Sequence, residues 1–515
     1  MNIQQAKEQV KRTVQIYLMK DRYGSYRIPV EKQRPIFLIG APGIGKTAIM
    51  EQIAQEMDLA IVSYSMTHHT RQSAIGLPFI SHKTYQGHEF DVSEYTMSEI
   101  VASVYETMER SGKLEGILFL DEINCVSETL APSMLQFLQY KMFGGHRIPQ
   151  GWVVVTAGNP PQFNRSVRDF DIVTLDRMKV LDVEADYDAW RRYGVNRGIH
   201  GSILSYLDIK KKDFYVIENT VDGKTYVTAR GWEDLSETIY LYEENHYPVD
   251  EVLIGQYLRN ARIAREFASY YELYQKYKED YQVQQILAGN PDKDILKRAK
   301  KADFDERLSL MGLLLDAMQL EIRENMELES ALRKLLPILK DVKAQLLCGS
   351  AESAGAALQG GSTVQAILAA KMDEISEQKH KLDQANALSD AARRDYNMIL
   401  HTIRECAKDI KLKNITDPAQ AFAYLKQTFD SEVAKMKAQS AKIKEELSNL
   451  FAFVKKQFGE GNEMLVLVTD LTVNDASARF IAQHGCEEYY QYNRKFQIYE
   501  RQQEISSVLE QLDDI

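Results

Sequence analysis

Pro35-Ile36-Phe37-Leu38-Ile39-Gly40-Ala41-Pro42-Gly43-Ile44-Gly45-Lys46-Thr47-Ala48 is the stretch whose reading decides the fold. It opens on an apolar run of strand length, and the segment that follows, Ala48-Ile-Met-Glu-Gln-Ile-Ala54, has helical spacing. Between them stands the pattern G-x-x-x-x-G-K-[ST], a phosphate-binding loop in its required strand–loop–helix setting. Its glycines let backbone N–H groups turn inward around a phosphate without a Cβ in the way. The helix start adds its positive dipole end. In this reading the loop from Gly40 to Ala48 wraps the phosphates, Lys46 reaches the β- and γ-oxygens, and the Thr47 hydroxyl ligates Mg²⁺. The loop reads phosphates only, so it does not choose adenine over guanine.

Two more buried runs end in polar groups. Gly116-Ile-Leu-Phe-Leu120 is followed by Asp121-Glu122-Ile-Asn124. Paired carboxylates at the end of an apolar strand are costly unless they face a cation or water. Asp121 is thus the candidate magnesium ligand and Glu122 the candidate general base that polarises the attacking water. Val153-Val-Val-Thr-Ala-Gly-Asn159-Pro160 ends in an amide able to donate to a phosphate oxygen or to orient water.

At 515 residues the chain exceeds one core. Its 44% hydrophobic and 27% charged residues fit an ordinary globular protein rather than a disordered one. A formal charge of −11 argues against a protein whose main task is gripping nucleic-acid phosphates. The four cysteines lie far apart with no C-x-x-C spacing and read as reduced thiols. No secretory leader pattern opens the chain, and no apolar run of about 18 residues spans a membrane. The expected location is cytoplasmic.

The alternation of apolar runs with helical patterns up to residue 180 predicts an α/β domain with a largely parallel sheet. Residues 181–290 read as a mainly helical, tyrosine-rich lid domain, with a hairpin flanking Asp222-Gly223. Residues 291–515 read as a long all-α region, a candidate partner-binding or assembly element. Gly349 to Gly355 and Gly360-Gly361-Ser362 look like a connector. Beyond them, seams running from Leu382 to Ile410 and from Phe422 to Val454, broken at Asn414–Pro418, predict either an antiparallel helical hairpin or two ordinary bundle helices. Met464-Leu-Val-Leu-Val468 with Tyr489, Tyr490 and Tyr492 reads as core packing or as a docking surface.

Taken in order, the P-loop, the acidic strand, the Asn-ended strand, Leu175-Asp176-Arg177 and Thr228-Ala229-Arg230-Gly-Trp232 resemble the MoxR branch of the AAA+ ATPases over residues 30–290. Ile75-Gly-Leu-Pro78 and Arg147-Ile-Pro-Gln-Gly-Trp152 resemble that branch specifically. The resemblance implies ATP as the nucleotide and Asn159 as sensor 1. It makes Arg177 a candidate arginine finger for a neighbouring subunit's γ-phosphate and Arg230 the candidate sensor-2 residue. Arg165 and Arg168 compete for the finger role. Phe79 to Tyr95, turning at Tyr85-Gln-Gly-His88, resembles an inserted hairpin, and Gly144-Gly145 would turn another before sensor 1. The chain departs from the family in having Met178 where phenylalanine is usual and Ala229 where proline is usual. The resemblance further implies a homo-oligomeric ring, usually a hexamer, that remodels or matures a protein client in chaperone fashion. Such clients often carry a von Willebrand A domain. Two other classes fit parts of the pattern: a nucleotide-gated scaffold, which would not need Glu122, and a nucleic-acid-directed NTPase, which the acidic balance and the missing helix-turn-helix disfavour.

Overall fold

Five strands pair into one parallel sheet: β1 (Ile36–Gly40), β2 (Ala60–Ser65), β3 (Gly116–Asp121), β4 (Trp152–Gly158) and β5 (Lys179–Val183), in the order β2-β3-β4-β1-β5. The computed structural model describes residues 1–497 except 69–73, 164–166, 168–169, 221–222, 353–359 and 385–387. Strands β3 and β4 are buried almost end to end, as expected of central strands covered on both faces. Four of the five were legible as short, largely apolar runs. The edge strand β5 was not, because Lys179-Val-Leu-Asp-Val183 alternates buried and exposed positions.

Register places the polar ends together. Ile39 pairs with Gly158 and Ser65 with Asp121, so the P-loop, the acids and Asn159 all emerge at the carboxyl edge of the sheet. The helix Lys46–Glu56 leaves the loop from Gly45, whose φ of 97° demands a residue without a side chain. An N-terminal helix, Ile3–Tyr17, opens with a capping box between Asn2 and Gln5 and packs on it, Lys7 and Lys11 both reaching Glu56 at 2.7 Å.

Two antiparallel hairpins interrupt this α/β order where the sequence placed them. Pro78–Tyr85 pairs with His88–Tyr95 around Gln86 and Gly87, both at positive φ. Met142–Phe143 pairs with His146–Arg147 around Gly144 and Gly145.

The chain divides into two compact units, one comprising Met1–Ala189 with Ser376–Asp390 and the other Trp190–Ile375 with Ala391–Ile515. In the second unit, Val216–Thr220 and Gly223–Val227 form the expected hairpin, although Asp222 lies outside the described residues. The rest is helical. A 49-residue helix, Phe304–Glu352, runs antiparallel to Pro418–Phe458; Glu321 meets Lys442, and the side chain of Asn325 meets Met436 and Ser440. The helix Asp390–Leu412 and Pro418–Phe458 form the antiparallel hairpin, joined by the Tyr424 hydroxyl donating to Asp409 at 2.7 Å. Leu382 belongs instead to the preceding helix, Gly360–Gln384. The glycine-rich connector is shorter than expected: Gly349–Glu352 and Gly360–Ser362 are helical, and 353–359 lie outside the described residues. Met464, Leu467, Val468, Tyr489 and Tyr492 share a core with Leu314, Ile443 and Leu450, so that segment packs inward; Tyr490 stays exposed.

One buried ion cluster ties sequence-distant helices of this unit. Arg191 grips Asp208 and Asp470 with bidentate geometry, at 2.5–3.0 Å. Among the described residues no helix is long and apolar enough to cross a membrane.

Candidate functional site

The P-loop closes on itself tightly enough to exclude side chains. A Cβ at Gly40 would lie 2.4 Å from the Val183 carbonyl oxygen and 2.9 Å from Ile44 Cδ1. Gly43 and Gly45 sit at φ of 71° and 97°. Lys46, only 8% exposed, enters the first turn of its helix and donates to the carbonyls of Gly40 and Ala41, each at 2.8 Å. Its third donation goes to Asn159 Oδ1 at 2.9 Å. An ammonium held among neutral acceptors at a helix start is a cation presented to an anion.

Thr47 Oγ1 donates to Asp121 Oδ2 at 2.9 Å, so a hydroxyl from the first turn of a helix and a carboxylate from the end of a strand converge from 74 positions apart. Both are hard oxygen donors suited to Mg²⁺, and a pair leaves most of the octahedron to water and phosphate. Glu122 adopts a left-handed backbone (φ 55°, ψ 35°), a sparsely populated conformation for a residue with a branchless but bulky side chain. Ser65 Oγ donates to Glu122 Oε2 at 3.0 Å. Burial first, then the negative field of Glu122 and Asp121, pushes the Cys125 thiol up, which keeps it protonated. Cys125, Cys406 and Cys486 are free thiols.

The geometry brings together Gly40 to Ala48, Asp121, Glu122 and Asn159. It does not bring Arg177 to them by any hydrogen bond or ion pair among the described residues; Arg177 is exposed, in the turn after the helix Ile172–Leu175. Arg230 belongs to the second unit, exposed in the first turn of Ala229–Glu244, where Thr228 caps Gly231 N–H at 3.2 Å. Arg165 and Arg168 lie outside the described residues. Sequence reading missed two participants. Ser65 becomes visible only through the register of β2 on β3, and Asn124 through its bond to the Asn159 carbonyl at 2.8 Å.

Residues 36–173 match the model of the ATPase family associated with various cellular activities, AAA. The matched interval starts on β1 and contains the P-loop, both acids and Asn159. These residues therefore form an AAA ATPase domain, which implies nucleotide binding. No curated protein matches the chain. Among solved structures it is similar to NtrX from Brucella abortus at 15% identity, with a TM-score of 0.24 over 39% of this chain and 40% of that one. The same protein in complex with ADP gives 14% identity and a TM-score of 0.23 over 40% and 41% of the two chains. The chain thus spans about two fifths of that protein's length.

Proposed function

We propose that this chain is a MoxR-like AAA+ ATPase that hydrolyses ATP at subunit interfaces to remodel or mature a protein client. The observation that carries the reading is the convergence of two sequence-distant groups on the neighbouring residues that close one glycine turn: Asn159 on Lys46 and Asp121 on Thr47, each pair at 2.9 Å. Thr47 and Asp121 would hold Mg²⁺, which when bound would neutralise charge developing on the phosphates. Lys46 would exchange its loop carbonyls for the β- and γ-oxygens. Asn159 holds the lysine on the γ side and offers its Nδ2 to phosphate or water. Glu122, whose carboxylate accepts from Ser65, takes a proton from the attacking water.

In this reading residues 1–180 are the nucleotide-binding domain, 181–290 the lid and 291–515 the element that meets a partner or drives assembly. Arg177 completes a neighbour's site as the finger, and Arg230 reports the nucleotide to the lid. The assembly is a homo-oligomeric ring, a hexamer by resemblance, in the cytoplasm. Its client is a protein, with a von Willebrand A domain as the first to try. Two variants test the core of the proposal. Lys46→Ala should abolish binding of a fluorescent ATP analogue. Glu122→Gln should keep that affinity while turnover falls by roughly 10²–10⁴. Wild-type turnover in Glu122→Gln would sink the reading.

A further inference from the structure

Asn124 sits in the short turn Ile123–Cys125 immediately after the paired acids and is 4% exposed. Its amide is used on one side only. Nδ2 donates to the main-chain oxygen of Asn159 at 2.8 Å, whereas Oδ1 is buried with no hydrogen-bond partner among the described residues. Buried acceptors are almost always satisfied, and one that is not marks a place where something other than stability has set the residue. The amide also lies flat on the strand before Asn159: a Cβ at Gly158 would come within 2.4 Å of Asn124 Oδ1 and 2.8 Å of its Cγ. Gly158 is the last residue of β4, and Pro160 follows Asn159, so the Asn159 carbonyl lies beyond the sheet ladder.

We propose that Asn124 is a positioning residue that clamps the Asn159–Pro160 peptide and thereby sets where the Asn159 side chain meets Lys46. The chain of contacts is continuous. Asn124 Nδ2 holds the Asn159 backbone, Asn159 Oδ1 accepts from Lys46 Nζ, and Asn124 itself follows Glu122 by two residues. A single amide therefore ties the turn carrying the general base to the residue expected to sense the γ-phosphate. The role rests on the ATPase reading above and extends it to a residue that touches neither nucleotide nor metal.

Asn124→Leu keeps the branched shape while removing the donor and the orphan acceptor together. A cavity of about 220 Å³, bordered by Asn124, Val126, Phe170 and Thr174, gives the added bulk room. We expect turnover to fall by about 10–100-fold, the range for losing a group that orients a working ligand. Nucleotide affinity should stay within about threefold and the melting temperature within a few degrees. The double variant Asn124→Leu/Asn159→Ala should be no slower than Asn159→Ala alone, because both act through one group. A purely structural role would instead lower melting temperature and turnover together, and losses that multiply in the double variant would overturn the proposal. Should Asn124→Leu fail to fold, Asn124→Asp removes the same donor at constant size and should show the same loss of turnover. If Glu122→Gln is inactive while a folded Asn124 variant turns over at the wild-type rate, the clamp alone fails. If Glu122→Gln is itself fully active, the ATPase reading fails first.

Discussion

Lys141 shows how far one side chain can depart from its ordinary chemistry. It ends the helix Ala131–Tyr140 in a left-handed conformation (φ 56°), is 3% exposed, and directs its ammonium at the Leu138 carbonyl. Burial pushes its pKa down to about 7 from 10.5. The sign follows from proton counting. Between about pH 7 and 10.5 the unfolded chain carries the proton and the folded one does not, so stability rises with pH there. Below 7 both states are charged and the full burial penalty stands. The slope should approach about 1.4 kcal/mol per pH unit inside that window. Denaturant unfolding of wild type and Lys141→Met at pH 7, 8 and 9 measures it: the difference between the two should shrink by that slope as pH rises. A constant difference would show that Lys141 stays charged in the fold. At this scale the candidate site was legible beforehand, because Lys46, Thr47, Asp121, Glu122 and Asn159 stand in local motifs, and the fold brings Lys46 to Asn159 and Thr47 to Asp121. Ser65 and Asn124 were not, because nothing near them in sequence says which strand or carbonyl they meet.

Strands and turns were legible to the extent that burial leaves a local pattern. β1 to β4 carry short, largely apolar runs, and the two small hairpins of the α/β unit, expected from the family resemblance, turn at Gln86-Gly87 and Gly144-Gly145. β5 escaped notice because its side chains alternate between exposed and buried, Leu181 and Val183 facing in, while its backbone pairs along β1. That pairing has a test at Gly40. The residue is both the last of β1 and the first of the phosphate loop, and it pairs with Val183 on β5. A methyl group there meets the Val183 carbonyl at 2.4 Å, so Gly40→Ala must either part the edge strand or lift the loop. Overpacking of this kind costs about 1–3 kcal/mol. The loop is the softer partner, so most of the cost should appear as a loss of ATP affinity of about 5–150-fold, with a smaller fall in melting temperature. Calorimetric titration with the slowly hydrolysed nucleotide ATPγS measures the first and thermal unfolding the second. Unchanged affinity with a large fall in melting temperature would place the strain in the sheet instead. The helical third was harder. Heptad seams were compatible with an antiparallel hairpin of Asp390–Leu412 with Pro418–Phe458 or with two ordinary bundle helices, and the seam alone did not separate Leu382 from the next helix, since 3.5-residue spacing runs through a break without marking it.

For the whole molecule, the question is where the second half of the catalytic machinery comes from. The acids, the lysine and Asn159 are assembled within one chain, but the arginine expected to stabilise charge on the γ-phosphate is exposed on a turn, with no ion pair among the described residues to hold it inward. An arginine left exposed in this way is suited to complete a surface supplied by another copy, and such fingers are worth about 10³–10⁵ in rate. Two consequences separate this arrangement from a self-sufficient subunit. Arg177→Ala should bind ATP as tightly as wild type yet hydrolyse it slower by about that factor, and wild-type turnover per subunit should rise steeply with protein concentration. More decisively, Arg177→Ala and Glu122→Gln damage opposite faces of an interface. Each is inactive alone, but in a mixed ring an Arg177→Ala subunit keeps an intact base and can receive the arginine of a Glu122→Gln neighbour. For equal mixing, about a quarter of interfaces should join intact halves, since each half is intact in half of the copies. Turnover of the mixture should therefore recover to about that fraction of wild type, whereas an arginine acting within its own chain would leave the mixture as inactive as its parts.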